Sequence, residues 1–254
     1  MPRHDILAPA PAGARPTPTL QSLRAAIDRI DDELLALIER RLSHARAIAA
    51  RKQDDHLNAL LLRPDRERDV VARLTARTDA LPDTAIAAVW RELMAVSLQT
   101  QRRTEIVLHA GAQPVAVTNV VRQRFGCAAP IVVAGGPEEA LARARSREAI
   151  AVIELDPLSS WWVDLFHDRA LVIFDWLGEG PTGAAALAVG RMTGDCRPRG
   201  VTFPIVGATT LARRMAEGED IRPLAMCGHL RLCISRSEGA MAAEEPVLRQ
   251  SQGR

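Results

Sequence analysis

The chain has 254 residues, 47% of them hydrophobic, and its 33 Lys and Arg nearly balance its 31 Asp and Glu to leave a net charge of +2. This length and hydrophobic content suit two modest domains with cores of their own. The near-neutral charge gives no reason to expect nucleic acid or an anionic membrane as a partner.

The cysteines and the hydropathy pattern bear on the cellular compartment. Four sparse cysteines do not have the spacing of a secreted disulfide framework. No apolar run approaches the ~20 residues of a membrane span. Residues 1–18 carry Ala and Pro without a hydrophobic signal core, so they are predicted to be a disordered leader. A cytoplasmic protein with reduced thiols is expected.

A long amphipathic helix is predicted from Leu20 to Lys52. Its apolar seam recurs at alternating steps of three and four residues, through Leu20, Leu23, Ile27, Ile30, Leu34 and Leu37. Thr19 can cap its start. The same line continues through Arg41, His44, Ile48 and Lys52. Because a charge in an apolar seam is costly unless paired, these cations need carboxylates or a bound anion.

Two shorter helices are predicted after it. The first begins near Arg63-Pro64 and runs to about Arg77, with Pro in its first turn and Arg66-Glu67 one turn before its apolar stripe. The second begins at Leu81-Pro82-Asp83. Its apolar line continues into Ser97 and Gln101.

The length of the first helix predicts a dimer. Its seam is roughly 50 Å long, more than two short helices of the same chain can cover. A second copy packed antiparallel would cover it. Arg24 stands 17 residues before Arg41, roughly 25 Å along the helix, so both can reach one small ligand only across such a dimer. The partner's Arg24 would then complete a polar cluster made of Arg41, Lys52, Arg66, Glu67, Ser97 and Gln101.

Residues 20–103 resemble the all-helical (AroQ-class) chorismate mutases. The resemblance rests on Leu-Arg-x-x-Ile around Arg24, on Ile30-Asp31, Leu34-Leu35-x-Leu-Ile, Arg41, Lys52, Arg66-Glu67 and Ser97-x-x-x-Gln101. Taken singly, most of these features are more typical of solvated helix surfaces. Their joint spacing favours a site. Arg63 departs from the pattern, standing where well-known members carry an acidic residue.

The resemblance implies an isomerase that converts chorismate to prephenate without metal or other cofactor. Arg41 and the partner's Arg24 would hold carboxylates, helped by Ser97 and Arg66. Lys52 and Gln101 would face the ether oxygen, and Glu67 would accept a hydrogen bond from the ring hydroxyl. Lys52, Gln101 and Arg41 are the predicted catalytic residues.

The remainder of the chain, residues 104–236, is predicted to be a small α/β domain, followed by a flexible tail over 237–254. Strand-like runs alternate with helical stretches in a βαβ rhythm. In position and rhythm the domain is distantly similar to a prephenate dehydratase, but it lacks the Thr-Arg-Phe triplet of that family. The nearest stretch is Gly200-Val201-Thr202-Phe203, which suggests a degenerate relative.

Two local motifs in this domain are interpreted as structural features and not as binding sites. Gly135-Gly136 reads as a turn and not as a phosphate-binding loop. Cys227, His229 and Cys233, placed on one face of a strand, do not make a convincing metal site.

Two other functions remain open. One is a bifunctional mutase and dehydratase. The other is a non-catalytic regulatory protein that senses an acid of the aromatic pathway.

Overall fold

The computed structural model describes residues 18–51, 60–146, 148–156, 158–168, 170–178, 185–192 and 197–236. Lys52, the predicted tail and all of the predicted leader except Pro18 lie outside the described residues. The chain divides into two compact units, Met1–Ser43 and His44–Arg254. Its described part comprises a long helix, two further helices and an α/β region with a mixed sheet.

The first helix, α1, spans Leu20–Arg51, as its apolar periodicity predicts. Thr19 caps its start, since the Ser22 amide donates to Thr19 Oγ1 at 3.1 Å. No residue of α1 is buried within the single chain. Most of its large apolar side chains are exposed, namely Leu20, Leu23, Ile27, Ile30, Leu34, Leu35, Leu37 and Ile48, whereas Ile38 and Leu42 are half-buried.

The two shorter helices are α2, Pro64–Thr75, and α3, Asp83–Gln101. They pack against each other. Pro64 stands in the first turn of α2, where its missing amide hydrogen would have had no helical partner. Both helices lie where their sequence patterns predict them.

The α/β region begins with a five-stranded sheet. In chain order its elements are β1 Glu105–His109, α4 Pro114–Phe125, β2 Ile131–Val133, α5 Pro137–Ala144, β3 Ala149–Glu154, a 3₁₀ helix Trp161–Phe166, β4 Val172–Leu177 and β5 Ala186–Gly190. The strand order is β2-β1-β3-β5-β4. β1 runs parallel to β2 and β3, as a βαβ pattern requires, whereas β5 is antiparallel to both β3 and β4.

A second, smaller sheet follows. It contains β6 Val201–Thr202, β7 Ile205–Gly207, β8 Asp220–Cys227 and β9 Leu230–Arg236, with α6 Ala208–Ala216 between β7 and β8. All three other strands pair antiparallel with β9. The predicted placing of Cys227, His229 and Cys233 on one strand is wrong, because β8 and β9 form a hairpin that turns at Gly228, whose φ is 55°.

The core of the sheet extends beyond the α/β segment. Leu60 and Leu62, which precede α2, are almost fully buried in one hydrophobic cluster with Ile106 and Phe174. The Leu60 amide also donates to the Arg191 carbonyl at 2.8 Å. The chain entering α2 is therefore tied directly to the α/β core.

The hydropathy of the described helices bears on membrane insertion. None of those in the described ranges is long and apolar enough to cross a membrane.

Candidate active site

The two predicted arginines of α1 differ in their surroundings. Arg24 is exposed, whereas Arg41, one of the few residues of α1 with reduced exposure, is half-buried. Burial lowers the pKa of Arg41 from its ordinary value. Lys52, the third cation expected on this line, follows the last residue of α1 and lies outside the described residues.

Arg66 and Glu67 occupy the first turn of α2. The Glu67 amide donates to the Arg63 carbonyl at 3.1 Å, which places Glu67 one turn inside the helix. Neighbouring residues on a helix point about 100° apart. As a result Arg66 is exposed, while the Glu67 side chain turns inwards and is 19% exposed.

Glu67 forms an ion pair with Arg124 of α4. Arg124 Nη1 donates to Glu67 Oε2 at 2.7 Å, and Arg124 Nε donates to Asp175 Oδ2 of β4 at 2.5 Å. Burial by itself would lower the pKa of Arg124, but the charges and hydrogen bonds of Asp175 and Glu67 raise it above the ordinary arginine value. The guanidinium is thus a permanent cation held between two carboxylates.

A small cavity adjoins this ion pair. Its volume is about 20 Å³, enough for about one water and far too small for an organic substrate. Glu67 and Arg124 line it together with residues of α3 and the sheet. Among the described residues around it, Glu67 is the one member of the predicted site, so the cavity does not bring Glu67 together with Ser97 or Gln101.

Ser97 and Gln101 lie one turn apart on α3, and therefore on the same face. Ser97 is buried, and its hydroxyl donates to the Leu93 carbonyl at 2.6 Å. A hydroxyl can rotate to another acceptor, so this bond does not prevent Ser97 from donating to a ligand. Gln101 is the last residue of α3 and is half-buried.

The C-terminal end of α3 is firmly attached to β1. The Gln99 side chain donates to the Thr104 carbonyl at 2.7 Å and accepts from the Thr104 amide at 3.1 Å. Thr104 is buried. This reciprocal pair holds the short connection beside Gln101 in a defined conformation.

A second attachment joins the middle of α3 to the end of α4. Glu92 Oε2 accepts from the Cys127 amide at 2.7 Å. Gly126 precedes it with φ 72° and ψ −171°, a backbone conformation that is essentially confined to glycine. Two contacts from α3 and one from α2 therefore connect these two helices to the chain that follows them.

Arg124 and Asp175 were not predicted from the sequence. A signal for Arg124 does exist: it follows Val117 and Val121 at the i+7 position of a buried stripe, where a cation needs a partner. Nothing in the sequence identifies Glu67 as that partner, since the two residues are 57 positions apart.

Comparison with known proteins shows a similarity over the region of the three helices. Residues 23–102 match the family model described as chorismate mutase type II. Over 127 residues the chain is 31% identical to a bifunctional chorismate mutase/prephenate dehydratase from Neisseria gonorrhoeae (strain ATCC 700825 / FA 1090), a stretch that covers 50% of this chain and 34% of that relative. The chain thus matches about a third of the relative's length.

No solved structure matches the chain significantly. The family match confirms the resemblance on which the helical motifs were interpreted, and its range includes each of the seven predicted site residues. Residues 23–102 of this chain are therefore similar to chorismate mutase type II domains.

Proposed function

We propose that this protein is a cytoplasmic chorismate mutase that rearranges chorismate to prephenate in aromatic amino-acid biosynthesis. The observation that carries the proposal is the family match over residues 23–102, because that range holds α2, α3, most of α1 and all seven predicted site residues. The sparse cysteines support a reducing compartment.

The chemistry requires a shaped and charged enclosure. Chorismate is a dianion, and its rearrangement is intramolecular, so it needs neither a nucleophile nor a proton relay. Two carboxylates must be held while the enolpyruvyl arm folds over the ring, which is a contribution of positioning. Negative charge that develops on the ether oxygen must be met by fixed donors.

The predicted residues supply these groups. Arg41 and the partner's Arg24 grip the carboxylates with planar guanidinium groups, which suit bidentate binding. Ser97 and Arg66 assist them. Lys52 and Gln101 donate to the ether oxygen, and Glu67 accepts from the ring hydroxyl. Arg63, which replaces an acidic residue of the family pattern, lies directly before α2 and leaves Glu67 as the carboxylate at that end.

The active form in this proposal is a homodimer joined through α1. Support comes from the large apolar side chains of α1 that are exposed in the single chain, since a contiguous apolar stripe of this length is unfavourable in water. Arg24 and Arg41 are about 25 Å apart along the helix. An antiparallel partner places one chain's Arg24 beside the other chain's Arg41.

The first experiment is a direct assay. The purified full-length chain is mixed with chorismate, and both the loss of chorismate and the appearance of prephenate are followed. A chain that is folded but leaves chorismate unchanged would refute the proposed activity.

The second experiment tests whether the site is shared between chains. Arg24→Ala and Arg41→Ala chains, each inactive alone, are mixed and allowed to exchange. Half of the dimers are then mixed, and one of their two sites combines an intact Arg24 with an intact Arg41, so about a quarter of the parental activity should return. If both arginines served a site within one chain, mixing would restore nothing.

A bifunctional enzyme is the second candidate, favoured by the function of the Neisseria relative. Against it, residues 104–236 lack the Thr-Arg-Phe triplet, and Thr202 instead ends the short strand β6. The same assay separates the two candidates, because a dehydratase would form phenylpyruvate at neutral pH. A purely ligand-sensing role is less favoured, since a sensor would not need Lys52 and Gln101 at the ether oxygen.

A further inference from the structure

We propose that Arg124, in the α/β region, is a positioning residue for the mutase site that orients Glu67 and offsets its charge. The proposal rests on the proposed function, because it gives Glu67 a substrate to meet. It assigns to the α/β region a part in mutase chemistry that no motif in residues 104–236 suggests.

The geometry of the ion pair is the starting point. The Arg124 side chain is 16% exposed and contacts one carboxylate on each side, Glu67 through Nη1 and Asp175 through Nε. A structural ion pair needs only one carboxylate. Here the same cation joins the first turn of α2, the last turn of α4 and strand β4, with Glu67 as the one predicted site residue among its partners.

The guanidinium itself is held in one orientation. Asp175 Oδ1 accepts from the Trp176 amide at 3.0 Å, so the carboxylate that anchors Arg124 is itself fixed. The Arg124 guanidinium carbon lies 5.0 Å from the centre of the Phe125 ring, and that ring packs edge-on against Phe174. Arg124 is therefore anchored to the sheet, and it orients Glu67 from there.

Glu67 keeps capacity for a ligand in this arrangement. Arg124 engages Oε2, whereas an ionised carboxylate has two oxygens and about four acceptor positions. A carboxylate beside a dianionic substrate would be repelled by it. A buried cation on the opposite side of that carboxylate reduces the repulsion, so Arg124 allows Glu67 to accept from the ring hydroxyl without weakening substrate binding.

The kinetic test uses the full-length chain with Arg124→Gln and Arg124→Lys. The control is Arg143→Gln, which removes a more exposed ion pair, Arg143 Nη2 to Glu105 at 2.6 Å, at a place remote in sequence from Glu67. Because a bond to the ring hydroxyl is made both before and during the rearrangement, its loss should appear mainly in KM.

We expect Arg124→Gln to raise the KM for chorismate roughly tenfold or more, the scale of one charge-assisted hydrogen bond, with less than about a threefold change in kcat. Arg124→Lys, which retains the charge but can reach fewer partners, should recover part of the loss. Arg143→Gln should leave both constants within about twofold of the parent, as expected when a partly exposed ion pair is removed. An unchanged KM in Arg124→Gln would overturn the proposal. A lower KM would overturn it too, because it would mean that the ion pair with Arg124 keeps Glu67 from binding the substrate.

A second measurement tests the contact between Glu67 and Arg124 without relying on enzyme activity. The free energy of unfolding in urea is compared for Glu67→Gln, Arg124→Gln and the double variant. We expect the two substitutions to be coupled, so that the double variant loses less free energy of unfolding than the two single variants lose together. Each single variant leaves one charge of this pair without its partner, whereas in the double variant the two amides carry no charge and can still hydrogen-bond to each other. Additive effects would overturn the proposal. If instead coupling is found and the parent leaves chorismate unchanged, the proposed function fails and the positioning contact stands.

Discussion

The dimer is most directly tested by placing a charge in the seam of α1. Leu34 lies in the middle of that seam and is 50% exposed in the single chain. In an antiparallel dimer its remaining surface would be buried against the partner helix. We expect Leu34→Glu to weaken or abolish the dimer while leaving α1 helical, because Glu is a good helix former.

The size of the effect follows from the exposure of Leu34. Full burial of a leucine contributes about 1.5–3 kcal/mol, so the exposed half that a partner would cover accounts for about 0.8–1.5 kcal/mol per chain. Two-fold symmetry counts this twice, which gives about 1.5–3 kcal/mol per dimer before any desolvation of the new carboxylates. Since 1.4 kcal/mol is about a factor of ten, the dissociation constant Kd of the dimer should rise by about tenfold to a hundredfold.

Sedimentation equilibrium measures the association, and specific activity measured over a dilution series reports whether the dimer is the active species. Ala36→Glu is the matched control: it introduces the same carboxylate two residues further along α1, about 200° around the helix and away from the seam. Leu34→Glu should lose activity on dilution well before the parent and the control do. A parental Kd for Leu34→Glu, or a parent that is an active monomer, would refute the dimer.

Three further changes test other parts of the structure. Gly126→Ala should lower the free energy of unfolding by about 2–4 kcal/mol in urea denaturation, because the backbone there is essentially glycine-only and a Cβ would lie 2.6 Å from Glu92 Oε2; an unchanged midpoint would contradict this. Gln101→Glu should have activity that increases as pH falls through the pKa of the new carboxyl, since only its protonated form can donate to the ether oxygen, and a pH–rate profile identical to the parent's would rule out that role. Hydrogen bonds from Arg214 and, to a smaller extent, from Ser235 lower the pKa of Glu219. The ionised Glu219 therefore stabilises the fold above its ordinary pKa of 4.5, and this contribution is lost as pH falls through the lowered pKa. The melting temperature of Glu219→Gln should depend less on acid pH than that of the parent, and parallel curves would argue against this role.

The helical part of this protein can be predicted from local signals in its sequence. The steps of three and four from Leu20 to Leu37, the Pro at the start of α2 and the apolar line of α3 are local signals, and each helix lies where they predict it. The same is true of β1, β2 and β3, which correspond to the short apolar runs predicted as strands over 106–109, 130–134 and 150–155. The resemblance to the chorismate mutases rests on the sequence too, because seven polar residues at set spacings carry it without any knowledge of contacts.

What those residues contact depends on how the chain packs in three dimensions. β5 lies antiparallel between β3 and β4, and β8 turns back on β9, arrangements that depend on strand pairing and not on local preference. The pairing of Glu67 with Arg124 and of Arg124 with Asp175 spans 57 and 51 positions. Periodicity can show that Arg124 lies on a buried face and therefore needs an anion. Which of the chain's 31 acidic residues pair with Arg124 is determined only when α2, α4 and β4 pack together and remove this guanidinium from water.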